Sequence, residues 1–266
     1  MYSLPRVLPD GPCGQSATEI RASKGQRRLA MLTAYDYPTA LALDACGLDL
    51  ILVGDSLAEV ELGLDSTREV SLAIMCHHLR AVHRGVASTH LVGDLPHDTY
   101  RTPDEAVASA RALVAAGAMS VKLEGALVPQ VAAIIADGIP VMGHVGLLPQ
   151  THIERRRRGR TPDEARELLE DARALDRAGC YAIVIEAVDN DVAAEITAAV
   201  AAPTIGIAAG LGTDGQVLVS TDLIGQLPEP PRFVAPKANV FEIVIAAGRE
   251  FAQEVRTPDP SGVQQR

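Results

Sequence analysis

A (β/α)8 TIM barrel is the fold this sequence predicts, and three observations predict it. Eight short apolar runs recur along the 266 residues, separated mostly by helical patterns. A module of capped helix, Ala-Gly stop and apolar strand occurs twice, over 102–124 and 161–187, as βαβ repetition produces. Polar residues end many different strands, and no GxGxxG follows the first one, which disfavours an open doubly wound sheet.

Residues 1–25, polar and rich in Gly and Pro, read as an arm preceding one barrel domain over 26–266. LAMLTA (29–34) is the first strand candidate, and a helix follows over about 38–46. LDLILVG (48–54) is near-continuously apolar, the pattern of a strand buried on both faces. The next helix, about 71–83, carries apolar positions at helical spacing and leads to the third strand, THLVGD (89–94). In 102–117, Thr102 is placed as the cap, Pro103 in the first turn, Glu105 for a capping box and Gly117 as the stop. SVKLE (120–124), a helix over about 127–137 and PVMGHVG (140–146) come next. The capped pattern returns over 161–179 and leads into YAIVIEA (181–187). A helix at 191–200, the strand PTIGIAAG (203–210), a weak eighth strand at 232–234 and a helical tail over about 238–255 complete the series.

With 47% hydrophobic residues the chain can bury a substantial core. Aromatics are 3% and Trp is absent, so Ala, Val, Leu and Ile must build that core, and a base-stacking nucleic-acid binder is disfavoured. A net charge of -10 argues against a broad phosphate-backbone footprint. Cys13, Cys46, Cys76 and Cys180 form no CxxC pair, which favours buried thiols over a zinc site or a disulfide framework. No window is long and apolar enough for a bilayer and no cleavable leader is evident, so a cytoplasmic protein is expected. The run Arg155 to Arg158, followed by Arg160, reads as a solvated loop, or as a contact to an anion, a partner subunit or an acidic patch.

The chemistry sits where the apolar runs end. Asp55 and Ser56 follow the second strand, Asp94 ends the third, Lys122 and Glu124 lie on the fourth, His144 on the fifth, and Glu186 ends the sixth. In a parallel barrel these strand ends gather at one mouth. Asp55 and Asp94, joined by Glu124, offer the oxygen ligands that Mg²⁺ prefers, although an Asp after a strand is also a common helix cap. Lys122 and Glu124 alternate with Val121 and Leu123, so both face one side. Lys122 either neutralises Glu124 or binds a substrate carboxylate. His144, flanked by glycines, is a structural hydrogen-bonder or a substrate contact. Glu186 ends the most apolar strand, where burial would make its carboxylate a better base near neutrality, unless an arginine pairs with it. A divalent cation, a cationic anchor and a separate base suit enolate chemistry on a 2-oxo acid.

At these residues the chain resembles the ketopantoate hydroxymethyltransferase family. TAYDYPTA (33–40), ILVGDSL (51–57), LDSTREV (64–70), HRG (83–85), GDLP (93–96), VKLEG (121–125), GHVGLLPQ (143–150), VIEAV (184–188), IGIAAG (205–210) and TDGQVLV (213–219) carry the resemblance in order. It implies a barrel of the phosphoenolpyruvate/pyruvate-utilising type, assembled as a homodecamer. It implies Mg²⁺ at Asp55 and Asp94 with Glu124 in or beside its shell. The 2-oxo acid would then be held by the metal ligands Asp55 and Asp94 with Ser56, Lys122 and His144, and Glu186 would take the proton. The implied reaction transfers a hydroxymethyl group from 5,10-methylenetetrahydrofolate to 3-methyl-2-oxobutanoate, giving 2-dehydropantoate. The chain departs from the family pattern at Ala58, Ala126 and Ala208, where glycines are usual, at His97, and in the short basic stretch 151–160. Two other readings stay open: a folate-independent aldolase, retro-aldolase or C–C lyase acting on another 2-oxo acid, and a catalytically weak structural or regulatory homologue.

Overall fold

Runs of Val, Ile and Leu become strands here because such side chains fit a pleated surface covered on both faces. In the computed structural model, which describes residues 14–152 and 154–257, eight parallel strands close into a barrel in sequence order. They are β1 (Leu29–Thr33), β2 (Leu50–Val53), β3 (His90–Asp94), β4 (Ser120–Lys122), β5 (Val141–Gly146), β6 (Ala182–Glu186), β7 (Thr204–Ile207) and β8 (Gly215–Leu218). The helices are α1 (Ala17–Ala22), α2 (Tyr37–Asp44), α3 (Leu57–Val60), α4 (Leu72–His83), α5 (Pro103–Ala115), α6 (Val128–Ala136), α7 (Pro162–Ala178), α8 (Asn190–Ala199), α9 (Ser220–Leu223) and α10 (Val240–Arg256). The described residues divide between Leu218 and Val219 into two compact units.

Side-chain alternation along a strand fills the barrel. Leu29 and Met31, Leu50 and Leu52, Val92, Met142, Ala182 and Val184, Ile205 and Val217 form one buried cluster. The same parity carried one or two steps further along the strands points Asp94, Lys122, His144 and Glu186 inward at the C-terminal mouth. Alternate residues such as Ile51, Val53, Val121, Ile183 and Ile185 are buried as well, beneath the helix layer.

Three features differ from the sequence expectation. Where an arm is expected, residues 17–22 form α1, started by a reciprocal capping box between Ser16 and Glu19. Its Ala17 and Ile20 join the barrel cluster, while residues 1–13 lie outside the described residues. The eighth strand is Gly215–Leu218, not 232–234, and it pairs with β1 from Leu29↔Gly215 to Leu32↔Leu218. A Cβ at position 215 would sit 2.5 Å from the Leu29 carbonyl oxygen, so only glycine lets the barrel close there. Residues 232–234 turn instead, with Val234 N–H donating to Pro231 C=O at 2.9 Å, because the surrounding prolines lack ladder donors. The capping boxes of α5 and α7 are displaced by one residue. Thr102 and Thr161 accept from the Glu105 and Glu164 N–H groups, but the two carboxylates reach back to the N–H of Arg101 and Arg160.

In the second unit, the Lys237 N–H donates to Leu223 C=O at 2.7 Å and Val240 N–H to Ile224 C=O at 3.1 Å, tying α9 to the start of α10. No residue of α10 is buried, and Ile243, Val244, Phe251 and Val255 are exposed. Of the cysteines, Cys76 and Cys180 are buried and Cys46 is exposed; Cys13 lies outside the described residues.

Candidate active site

Strand register brings the acidic and basic groups together. Asp94 and Lys122 are Cα partners across β3 and β4, and Lys122 Nζ donates to both Asp94 oxygens, at 2.8 and 2.7 Å. Asp55, just beyond β2, donates its backbone N–H to Asp94 Oδ2 at 3.4 Å, so the two carboxylates adjoin. Ser56 begins the short helix α3 without capping it, and its Oγ lies 2.8 Å from the Tyr35 hydroxyl. Glu124, beyond the end of β4, and His144, on β5, face each other across 3.9 Å, from Oε1 to Nδ1. His144 Nε2 stands 3.5 Å from Glu186 Oε2, at the end of β6.

Burial and charge grade the site. Asp55, Asp94, Lys122, Glu124 and His144 are all buried, whereas the Glu186 side chain keeps 24% of its surface exposed. Burial pushes the Asp55 carboxyl up to about 7, and the neighbouring Asp94 adds to the rise. Asp94 is also raised by burial, against the pull of Lys122. Glu124 is held well above the usual carboxylate range, chiefly by desolvation. Burial works against the Lys122 charge, but the Asp94, Glu124 and Asp55 carboxylates outweigh it and hold the ammonium charged. Desolvation, helped by Lys122, keeps His144 neutral. Among the described residues neither of its buried ring nitrogens has a hydrogen-bond partner, a costly state that a bound polar molecule would relieve. Glu186 is pushed up to about 7 by desolvation, partly offset by Lys122.

The structure adds residues that sequence reasoning misses. Gln150 is fully buried; its Nε2 donates to Asp55 Oδ2 at 2.8 Å and its backbone N–H to Glu124 Oε2 at 3.1 Å. The Tyr100 hydroxyl bonds to Gln150 Oε1, and Tyr35 holds Ser56. A buried amide at the end of GHVGLLPQ was the only available signal, and its partners lie far away in sequence. The arginine run contacts acidic and carbonyl groups of its own chain. Arg155 pairs with Glu59 of α3, Arg156 with Glu164, and Arg157 with the Val188 and Ala208 carbonyls and Asn190 Oδ1. Among the described residues, no three His, Cys, Asp or Glu side chains converge as a ready-made metal cage.

A closed parallel barrel of eight strands, with a buried Asp–Asp–Lys cluster and a partly exposed glutamate at its C-terminal mouth, defines a (β/α)8 TIM-barrel protein with its polar site at the usual end. Its fold matches solved structures of phosphonopyruvate hydrolase (TM-score 0.63, 15% identity, covering 91% of this chain and 87% of that one). It also matches 2,3-dimethylmalate lyase, a member of the PEP mutase/isocitrate lyase superfamily (TM-score 0.60, 16% identity, 94% and 90% covered). The chain belongs to the ketopantoate hydroxymethyltransferase family, whose model matches residues 15–259. It is 49% identical to the 3-methyl-2-oxobutanoate hydroxymethyltransferase of Oleidesulfovibrio alaskensis strain G20 over 249 residues, 91% of this chain and 86% of the relative.

Proposed function

We propose that this chain transfers a hydroxymethyl group from 5,10-methylenetetrahydrofolate to 3-methyl-2-oxobutanoate, giving 2-dehydropantoate. The observation that carries the reading is the meeting of Asp55, Asp94, Lys122, Glu124, His144 and Glu186 at one buried mouth, in a chain of this family.

The residues present fit Mg²⁺. Asp55, Asp94 and Glu124 are buried around one ammonium, and the raised Asp55 and Glu124 carboxyls express a shortage of positive charge. Asp55 and Asp94 would hold the ion, with Glu124 beside them. Two adjoining carboxylates supply hard oxygen donors and leave positions for water and substrate oxygens, as Mg²⁺ sites usually do. When bound, the ion would acidify the carbon next to the substrate ketone.

Lys122, held charged, offers an anchor for the substrate carboxylate. Neutral His144 has one ring N–H to donate and one nitrogen to accept, and Ser56 adds a hydroxyl positioned by Tyr35. Glu186 accepts the proton from C3, its carboxyl tuned near neutrality by desolvation. Water adds to the methylene carbon of the folate and both of its C–N bonds break, releasing tetrahydrofolate and formaldehyde. The C3 carbanion attacks the formaldehyde carbon, and the proton taken up by Glu186 returns to the new alkoxide oxygen.

Deuterium exchange at C3 of 3-methyl-2-oxobutanoate in D₂O, followed by proton NMR without folate, tests the first half-reaction. Exchange should vanish with EDTA and fall by about 10²- to 10⁴-fold in Glu186→Gln, which retains Mg²⁺ binding. Undiminished exchange in that variant would remove Glu186 from its role. Absence of exchange in the folded, metal-loaded protein would point to another 2-oxo acid.

We also propose a cytoplasmic homodecamer. The exposed apolar residues of α10 support assembly, and among the described residues no helix is long and apolar enough to cross a membrane. Light scattering coupled to size exclusion would read the assembly size directly.

A further inference from the structure

We propose that Gln150 is a positioning residue that selects which carboxylate oxygens the site presents to its cation; the inference rests on the Mg²⁺ reading above. Gln150 is wholly buried, and its hydrogen bonds lead to four separate strand ends or loops. Its Nε2 donates to Asp55 Oδ2 at 2.8 Å and to the Leu95 carbonyl at 3.0 Å. Its backbone N–H donates to Glu124 Oε2 at 3.1 Å. Its carbonyl accepts from Arg68 Nε at 2.8 Å, and its Oε1 meets the Tyr100 hydroxyl.

These partners leave the amide a single orientation. The Leu95 carbonyl can only accept, and so can an ionised Asp55, so both need the NH₂ end. Oε1 must then face Tyr100, whose hydroxyl is left to donate. Burial and the surrounding carboxylates keep that hydroxyl protonated. A flipped amide would set its oxygen against a carbonyl and a carboxylate. Tyr100 therefore locks Gln150, and Gln150 fixes Asp55.

The consequence falls on both acidic residues at once. Oδ2 of Asp55 and Oε2 of Glu124 are committed to Gln150, one by its side chain and one by its backbone. Oδ1 of Asp55 and Oε1 of Glu124 lie outside these contacts, and Oε1 faces His144. Groups that orient ligating carboxylates in this way typically change metal affinity by about 10- to 100-fold when removed. Arg68 holds the Gln150 backbone from the segment after α3, so the contact to Glu124 survives side-chain substitutions.

The test is titration of the full chain with Mg²⁺ alone by calorimetry, alongside thermal unfolding with and without the ion. Gln150→Leu keeps the volume and the backbone contacts but loses the bonds to Asp55, Leu95 and Tyr100. It should weaken Mg²⁺ binding about tenfold or more and shrink the stabilisation by saturating Mg²⁺. Tyr100→Phe removes only the lock and should weaken binding by a smaller factor in the same direction; it decides the matter should Gln150→Leu not fold. A merely structural role would lower the melting temperature of the metal-free protein and leave Mg²⁺ affinity unchanged, and that result would overturn the proposal. Wild-type protein that binds no Mg²⁺ would instead sink the reading beneath it.

Discussion

The two ends of the barrel treat buried polar groups in opposite ways. At the floor, His90, Ser120 and Tyr181 form a closed chain. His90 Nδ1 donates to the Gln15 carbonyl at 2.7 Å, and its Nε2 lies 2.8 Å from Ser120 Oγ, which in turn lies 2.9 Å from the Tyr181 hydroxyl. Because the Gln15 carbonyl can only accept, His90 must spend its one N–H there, and the remaining bonds run from Tyr181 through Ser120 to Nε2. Burial favours this neutral form of His90. At the mouth, by contrast, neither His144 nitrogen has a partner among the described residues, and carboxylates crowd one lysine. The floor contributes stability; the mouth holds unmet charge and hydrogen-bonding capacity for a ligand to use.

Substitutions should separate these ends. The largest effect is expected for Lys122→Met, which strands Asp94 without its cation. Unfolding in denaturant should show a loss of about 3–5 kcal/mol without Mg²⁺, partly restored by the ion, together with loss of C3 exchange. Stability equal to wild type would mean that the mouth is not under charge strain. At the floor, Ser120→Ala leaves Tyr181 without an acceptor and His90 without a donor. It should cost about 1–3 kcal/mol with the exchange rate untouched, and a slowed rate would show that the two ends are not independent.

Smaller effects belong to the rim. Ala208 has φ 51°, a left-handed conformation that disfavours a Cβ, and its carbonyl accepts from Arg157. Ala208→Gly should raise stability by about 1 kcal/mol in urea unfolding, and no gain would mean that surrounding contacts absorb the strain. Least of all is the effect of the solvent-screened Arg156–Glu164 pair. Arg156 holds the Glu164 carboxyl down to about 2, below its ordinary 4.5. Its contribution is therefore complete above about 4.5 and disappears as pH falls through about 2. Wild type and Glu164→Gln should differ in stability at neutral pH and converge in strong acid; a constant difference would assign the effect to packing.

Much of this was legible in the residues because barrel and site obey one rule. The alternation that buries Leu50, Val92 and Met142 also aims Asp94, Lys122 and His144 inward, so strand ends could be read as a mouth. What escaped depends on partners distant in sequence. Gln150 meets Asp55 across 95 positions, and no local pattern announces that contact. The arginine run reads equally as a solvated loop or as a contact to an acidic patch because charge density is local information, whereas its partners Glu59 and the Val188 carbonyl reach it only through folding. Strand β8 was misplaced because Gly215 and Gln216 dilute its apolar signal, although barrel closure demands the glycine.

Helix α1, with Ala17 and Ile20 packed into the barrel cluster, stoppers the floor. Above that packed core the site is reached from the C-terminal mouth, and depth within the mouth becomes sequence in time. A molecule seated against Lys122 and Asp94 must arrive before anything that sits above it near Glu186, and it can depart only after that second molecule has gone. Steady-state kinetics with both substrates should therefore follow an ordered pattern, imposed by the packed core that closes the barrel beneath the chemistry.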